Sequence, residues 1–141
     1  MKKKVILITL IVIIIACLLS IVLFLKKKEL DDFKTALTGE TEIFYSIKDY
    51  SSGKTIDISD TYQKDSLLNA IGQVKYSGVC TSKNISADER FFSLTVYNEE
   101  FLEVLIIGPS EKTSCLVSEI LNISIVNTDV LYQTIGNIIG S

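Results

Sequence analysis

The sequence predicts an α+β protein in which an N-terminal transmembrane helix is followed by a mostly antiparallel sheet with two helices. Three observations support this fold class. The first is a long uncharged run, residues 5–25. The second is that the rest of the chain alternates between apolar patterns of period two and of period 3.6, which are the periods of strands and helices. The third is that short turns join neighbouring strand segments, which favours antiparallel pairing.

Residues 5–25 form a run of 21 uncharged residues, of which 17 are Leu, Ile, Val or Phe. At 1.5 Å per residue this helix is about 31 Å long, which matches a hydrocarbon core of about 30 Å. The 113 residues after residue 28 are too few to surround such an apolar rod. We therefore predict a single-pass transmembrane helix that contacts the lipid bilayer through residues 5–25, with residues 1–4 as a basic flank.

Two other interpretations apply to the same run. Residues 14–17, Ile-Ile-Ala-Cys, resemble the lipobox of bacterial lipoproteins, in which Cys17 would carry the lipid. Residues 18–25 depart from that pattern because they stay apolar up to three lysines. A cleaved secretory signal fits less well, since the run is long and no A-x-A-like site follows it.

The orientation of the helix is predicted from its short basic start. A basic start before a long apolar run is typical of an uncleaved signal-anchor, which places the N-terminus inside and the C-terminal domain outside the cell membrane. Lysines stand at both ends of the run, so a cytoplasmic domain is the alternative.

The helix is predicted to continue beyond the lysines. Leu30, Phe33 and Leu37 have helical spacing, so residues 26–39 are assigned to a basic stop and helical stalk. Residues 40–141 are assigned to the α+β domain.

The domain opens with a predicted hairpin and helix. Residues 41–50 and 54–58 alternate apolar and polar side chains on either side of a Ser-Ser-Gly turn. Asp60 is the predicted N-cap of a helix that ends at Gly72, and Gln63 stands at capping-box spacing from it.

The second half predicts further strands and a last helix. Strand patterns follow at residues 73–79, 90–97 and 101–107, a Gly-Pro-Ser turn leads into residues 113–117, and residues 119–126 are β-branched enough for one more strand. A cap at Asn127 or Thr128 opens a helix whose apolar stripe is Leu131, Ile135 and Ile138. The predicted order is β-β-α-β-β-β-β-α, with the helices packed on one face of the sheet.

The Lys-rich start, the anchor and residues 50–60, Tyr-Ser-Ser-Gly-Lys-Thr-Ile-Asp-Ile-Ser-Asp, together resemble small membrane-anchored or lipoprotein domains of unknown function from Gram-positive bacteria. The resemblance covers most of the chain and rests on its organisation. It implies a location at the membrane and brings no catalytic or binding motif.

Charge and composition favour some functions over others. After residue 28 the chain carries 8 basic and 17 acidic residues, a formal charge of −9, so nucleic acid is not an expected partner. The chain contains no histidine, the commonest general base and metal ligand. Because the sequence also has no C-x-x-C pair, phosphate loop or nucleophile elbow, we predict no catalytic residue, no metal and no cofactor.

Two cysteines after the anchor are candidates for a disulfide. A domain outside the cell would allow Cys80 and Cys115 to form this bond. The alternative is a pair of buried thiols.

Five aromatic residues are candidates for partner binding. They occupy strand positions opposite the expected core: Phe44, Tyr50, Phe91, Tyr97 and Phe101. On an open sheet face they would form an exposed apolar patch, which usually marks an interaction site. The alternative is that three of them, Phe44, Phe91 and Phe101, pack beneath the stalk or the last helix.

These observations predict a non-catalytic extracytoplasmic binding or accessory domain, of the immunity or envelope-associated kind. The anchor would hold it near a membrane-associated or extracellular protein. A small membrane-anchored hydrolase that uses carboxylates is the second hypothesis, which requires buried carboxylates to converge. A cytoplasmic-facing scaffold is the third.

Overall fold

A computed structural model describes residues 2–39, 41–80, 89–119 and 121–140, with the backbone alone for Cys80. Its class is α+β, as predicted. The elements in chain order are α1 (Lys2–Ala36), β1 (Phe44–Asp49), β2 (Thr55–Ile58), α2 (Thr61–Gln73), β3 (Lys75–Cys80), β4 (Phe92–Tyr97), β5 (Leu102–Ile107), a 3₁₀ turn (Glu111–Thr113), β6 (Cys115–Leu116), β7 (Asn122–Val126) and α3 (Asp129–Gly140).

The described strands form one seven-stranded sheet in the order β2-β1-β4-β5-β6-β7-β3, and each pairing in it is antiparallel. Five strands follow α2, one more than in the predicted order, although each of them overlaps one of the five strand segments predicted along the chain. The predicted segment 113–117 is shortened to β6, which is two residues long, because the 3₁₀ turn extends to Thr113. β3 pairs with β7, so the chain crosses the sheet between β3 and β4.

Local signals explain several of these boundaries. The Asp60 side chain accepts a hydrogen bond from the Gln63 amide at 2.9 Å, which confirms the predicted N-cap of α2. α2 ends at Gln73, one residue beyond the predicted stop. The β1–β2 turn contains Gly53 with a φ of 70°, a left-handed conformation that glycine adopts without a steric penalty.

α1 is a single helix of 35 residues that includes both the apolar run and the predicted stalk. An 18-residue window of it has a mean hydropathy of 3.5 and is 0% buried, so the helix is long and apolar enough to cross a membrane. Its other end belongs to the domain. Leu30 and Phe33 in its last turns, and Leu37 directly after it, are only 1%, 4% and 4% exposed and lie in the hydrophobic core. The segment predicted as a stalk is thus a packed part of the domain.

The core lies between the helices and one face of the sheet. Cross-strand register places Ile47 opposite Leu94, and Leu94 opposite Leu105, and all three are fully buried. The same cluster contains apolar side chains from α1, α2 and α3. Helices therefore pack on one face, as predicted, and we call the opposite face of the sheet the outer face.

Candidate binding surface

The outer face is built from alternate residues of β1, β4 and β5. Its cross-strand pairs are Phe44 with Tyr97, Ser46 with Thr95, and Lys48 with Ser93. On β5, Leu102, Val104 and Ile106 extend it. Leu102 lies opposite Tyr97 and is 65% exposed, and the other two are half-buried. Within the described part of the chain, none of these residues belongs to the hydrophobic core that the helices cover.

Two aromatic stacks stand at opposite ends of this face. The rings of Phe44 and Tyr97 have centroids 5.6 Å apart and an interplanar angle of 25°. Those of Tyr50 and Phe91 are 4.5 Å apart at 16°. Phe44 and Tyr50 are six positions apart along an extended strand, so the stacks are separated by about 20 Å at 3.3 Å per residue.

The rings are accessible to a partner. Phe44 is 40% exposed and Tyr50 is 44% exposed, while Phe91 and Tyr97 are half-buried beside them. An ammonium group lies near each stack, because Lys64 Nζ is 5.4 Å from the Phe44 ring centroid and Lys48 Nζ is 4.9 Å from that of Tyr50. Lys64 Nζ also lies 3.6 Å from Glu42 Oε1, so the positive charge at the Phe44 end is already paired within the chain. The Tyr50 end presents an aromatic ring together with the charge of Lys48.

The fifth predicted aromatic does not belong to this surface. Phe101 lies on the core side of the sheet, where its ring meets that of Phe33 edge to face at 6.3 Å. The face assigned to Phe101 was therefore wrong, and the alternative of packing beneath the first helix applies to it. The structure brings the other four together as two pairs.

An ion pair supports the Tyr50–Phe91 stack. Asp49 and Arg90 directly precede the two stacked rings, and Arg90 Nη2 lies 2.8 Å from Asp49 Oδ2. The Asp49 carboxylate also accepts hydrogen bonds from the Ser51 amide at 2.9 Å and the Ser52 hydroxyl at 3.0 Å. Burial alone would raise the pKa of Asp49, but these hydrogen bonds, led by that of Arg90, outweigh it and lower the pKa.

Further contacts hold Arg90 in place. Its guanidinium lies 5.1 Å from the Phe92 ring centroid, and the Tyr132 hydroxyl donates to its carbonyl oxygen at 3.0 Å. The hydrogen bonds to Asp49 raise the pKa of Arg90, which stays charged. No sequence pattern predicted this pair. Its only signal was that Arg90 is the single arginine after the anchor.

Carboxylates converge at a different place, beside the part of α1 that directly follows its apolar run. Glu29, Asp32 and Glu103 line a groove of about 390 Å³. Burial and the nearby charge of Glu29 raise the pKa of Glu103. Two of the three carboxylates are paired with lysines of the same helix, since Lys26 Nζ is 2.8 Å from Glu29 and Lys28 Nζ is 3.5 Å from Asp32.

This groove bears on the hydrolase hypothesis and on metal binding. A carboxyl group with a raised pKa beside a carboxylate is an arrangement that general acid catalysis uses. Such catalysis also needs a nucleophile or an activated water. Among the described residues, no group of three His, Cys, Asp or Glu side chains is placed to hold a metal ion.

The pairing register argues against the predicted disulfide. Cys80 lies opposite Asn122 and Cys115 lies opposite Ser124, so β7 stands between the two cysteines. Two strand spacings of about 4.8 Å exceed the distance of about 7 Å that Cα atoms of a disulfide can span. Cys115 is buried, the side chain of Cys80 is outside the described residues, and Cys17 lies exposed on α1.

Comparisons with known proteins give no independent guide to function, because no family model, curated protein or solved structure matches this chain. The outer face is therefore assessed on its own geometry. It combines exposed rings, hydroxyl groups and ammonium groups over an extended length, and this combination suits the recognition of another macromolecule.

Proposed function

We propose that this protein is a single-pass membrane-anchored binding module whose outer face recognises a membrane-associated or extracellular protein. The observation that carries the proposal is the pair of aromatic stacks, about 20 Å apart at strand spacing, on the face that the helices leave uncovered. The partner that fits would contact both stacks and place a carboxylate near Lys48, since Lys64 is already paired with Glu42.

Anchoring by α1 is supported by its length, its exposure and its continuity with the domain. The apolar window is 0% buried, while the same helix ends in the core through Leu30 and Phe33. A domain held in this way has a raised effective concentration toward partners in the same membrane. The organisation that resembles small membrane-anchored domains of Gram-positive bacteria is consistent with this location.

The orientation in the proposal is N-terminus inside and domain outside. A Ser52→Cys variant tests it, since Ser52 is exposed in the β1–β2 turn. We expect a membrane-impermeant maleimide to label this variant in intact cells above the level of the unsubstituted chain. Labelling that requires permeabilised cells would instead place the domain in the cytoplasm.

Site-specific photocrosslinking tests the binding surface. A photoreactive residue at Ser46, between the two stacks, is expected to give an adduct in native membranes. A second one at Tyr62, which is 80% exposed on α2, serves as the matched control and is expected to give none. Adding Phe44→Ala and Tyr50→Ala to the Ser46 probe should abolish the adduct. An adduct that survives both substitutions, or that forms equally at Tyr62, contradicts the proposal.

A further inference from the structure

The end of the domain nearest to the apolar run of α1 carries exposed aliphatic side chains. Lys26, the first residue after that run, donates hydrogen bonds to Ser118 Oγ at 2.6 Å and to Glu29 Oε2 at 2.8 Å. The bond to Ser118 joins the segment after β6 to the first residue of α1 beyond the predicted membrane span. Leu102 is 65% exposed and Val117 is 39% exposed, and both line a groove of about 590 Å³ together with Lys26.

The depth of this groove follows from the length of the helix. The apolar run of about 31 Å fills a hydrocarbon layer of about 30 Å, so Lys26 stands at the level of the lipid headgroups. Because α1 continues without a break to Ala36, the domain cannot swing away from the bilayer without bending a helix. Residues that share a groove with Lys26 therefore lie at the membrane surface.

The charges in the groove select among lipids. Glu103 and Glu119 line it beside the two aliphatic residues. Lys26, which also lines the groove, is already paired with Glu29. An anionic headgroup would face uncompensated carboxylates, whereas the terminal ammonium of a zwitterionic headgroup would complement them.

We propose that Leu102 and Val117 lie in the headgroup layer of the membrane that holds α1, and that the groove beside them takes zwitterionic phospholipid. This inference rests on the anchoring part of the proposed function. It adds a second contact between the domain and the bilayer, at the end of the outer face where Leu102 lies opposite Tyr97, and this contact fixes the outer face relative to the membrane. The strand ends with the Phe44–Tyr97 stack then face the bilayer, and those with the Tyr50–Phe91 stack point away from it.

Single-tryptophan variants of the full chain test this contact, because the sequence contains no tryptophan. The probe is Leu102→Trp, and Val117→Trp is a second probe should the first variant fail to fold by circular dichroism. The control is Lys112→Trp, at an exposed position in the 3₁₀ turn near the opposite strand ends. Each variant is reconstituted in phosphatidylcholine vesicles with bromine atoms near the start of the acyl chains.

We expect Leu102→Trp to lose about half of its emission to the bromolipid, as befits a side chain 5–10 Å into the interface, and Lys112→Trp to keep its emission. Replacing half of the lipid with phosphatidylglycerol should weaken the quenching at residue 102. If bromolipid quenches the two variants equally, or if it quenches Leu102→Trp equally in both lipid mixtures, the inference is overturned. Vesicle flotation separates the two proposals, since a chain that floats without quenching retains the anchor and loses only the contact.

Discussion

The guanidinium of Arg90 donates two hydrogen bonds to one carboxylate oxygen of Asp49, from Nη2 at 2.8 Å and from Nε at 3.3 Å. The Asp49 side chain is 1% exposed, whereas that of Arg90 is 48% exposed. The pair joins the end of β1 to the segment before β4, and its two residues directly precede the stacked residues Tyr50 and Phe91. It therefore fixes one end of the proposed binding surface.

Replacing Asp49 with Asn should lower the free energy of unfolding by about 1–2 kcal/mol at neutral pH, because hydrogen bonds to a buried charge are lost while solvent screens the half-exposed Arg90. Urea denaturation of the full chain in detergent, followed by the circular dichroism of the domain, measures this change. Asp57→Asn on the exposed side of β2 is the matched control and should leave stability nearly unchanged.

The effect of Asp49→Asn should also depend on pH. The folded protein lowers the pKa of Asp49, so the charged carboxylate stabilises the fold above its unfolded pKa of about 3.9. This stabilisation is lost as the pH falls through the lower, folded pKa. The free energies of unfolding of the native chain and of the Asp49→Asn variant should therefore become equal in strong acid. If the difference in free energy of unfolding between them stays constant from neutral pH to acid, the ion pair is not its cause.

The sequence predicted local features better than this pair. The Asp60 cap and the β1–β2 hairpin follow from residues within a few positions of each other, which is why spacing alone identified them. Asp49 and Arg90 are 41 positions apart, and the register of β1 with β4 brings them together. Strand register at that separation depends on the packing of the whole sheet, which a single sequence does not reveal.

The contribution of Glu103 to stability should depend on pH in the opposite way to that of Asp49. Burial, and then the charge of Glu29, raise its pKa, so the folded state binds this proton more tightly than the unfolded state does. Stability then falls as the pH rises from the unfolded value of about 4.3 through the folded pKa. Glu103→Gln should raise the free energy of unfolding at neutral pH by less than about 1 kcal/mol, since the side chain is only half-buried.

Thermal unfolding at neutral pH and at a pH below about 4 measures this gain, which should vanish in acid where the native Glu103 is also protonated. Glu99→Gln, in the exposed turn between β4 and β5, controls for the change in net charge. An equal gain from both variants would indicate relief of general acidic repulsion instead of a local effect at Glu103.

The last turns of α1 should be required for folding. Leu30, Phe33 and Leu37 are buried, and the loss of about 1.5–3 kcal/mol for each side chain approaches the 5–15 kcal/mol by which a domain is stable. We expect a fragment of residues 26–141 to give a cooperative thermal transition and a fragment of residues 40–141 to give none. A folded 40–141 fragment would mean that the α1 segment is dispensable.

Helical spacing alone did not show where along α1 the packed domain begins. The positions of Leu30, Phe33 and Leu37 predicted an amphipathic helix, but a stalk and a packed core helix have the same period. Phe101 shows the same ambiguity in a strand. Its segment carries apolar side chains on both faces, so alternation could not decide which face meets the helices, whereas the edge-to-face contact with Phe33 does.

The register of β7 leads to a prediction about the cysteines. Because β7 separates Cys80 from Cys115, we expect all 3 thiols of the chain to react with Ellman's reagent after denaturation without a reductant. Ser124→Cys is the matched positive control. Residue 124 lies directly opposite Cys115, where the Cα atoms of antiparallel neighbours are about 4.5–5.5 Å apart, so mild oxidation should link these two. If the unsubstituted chain shows a single reactive thiol and regains two on reduction, the disulfide exists and the register between β3 and β7 must differ from the one described.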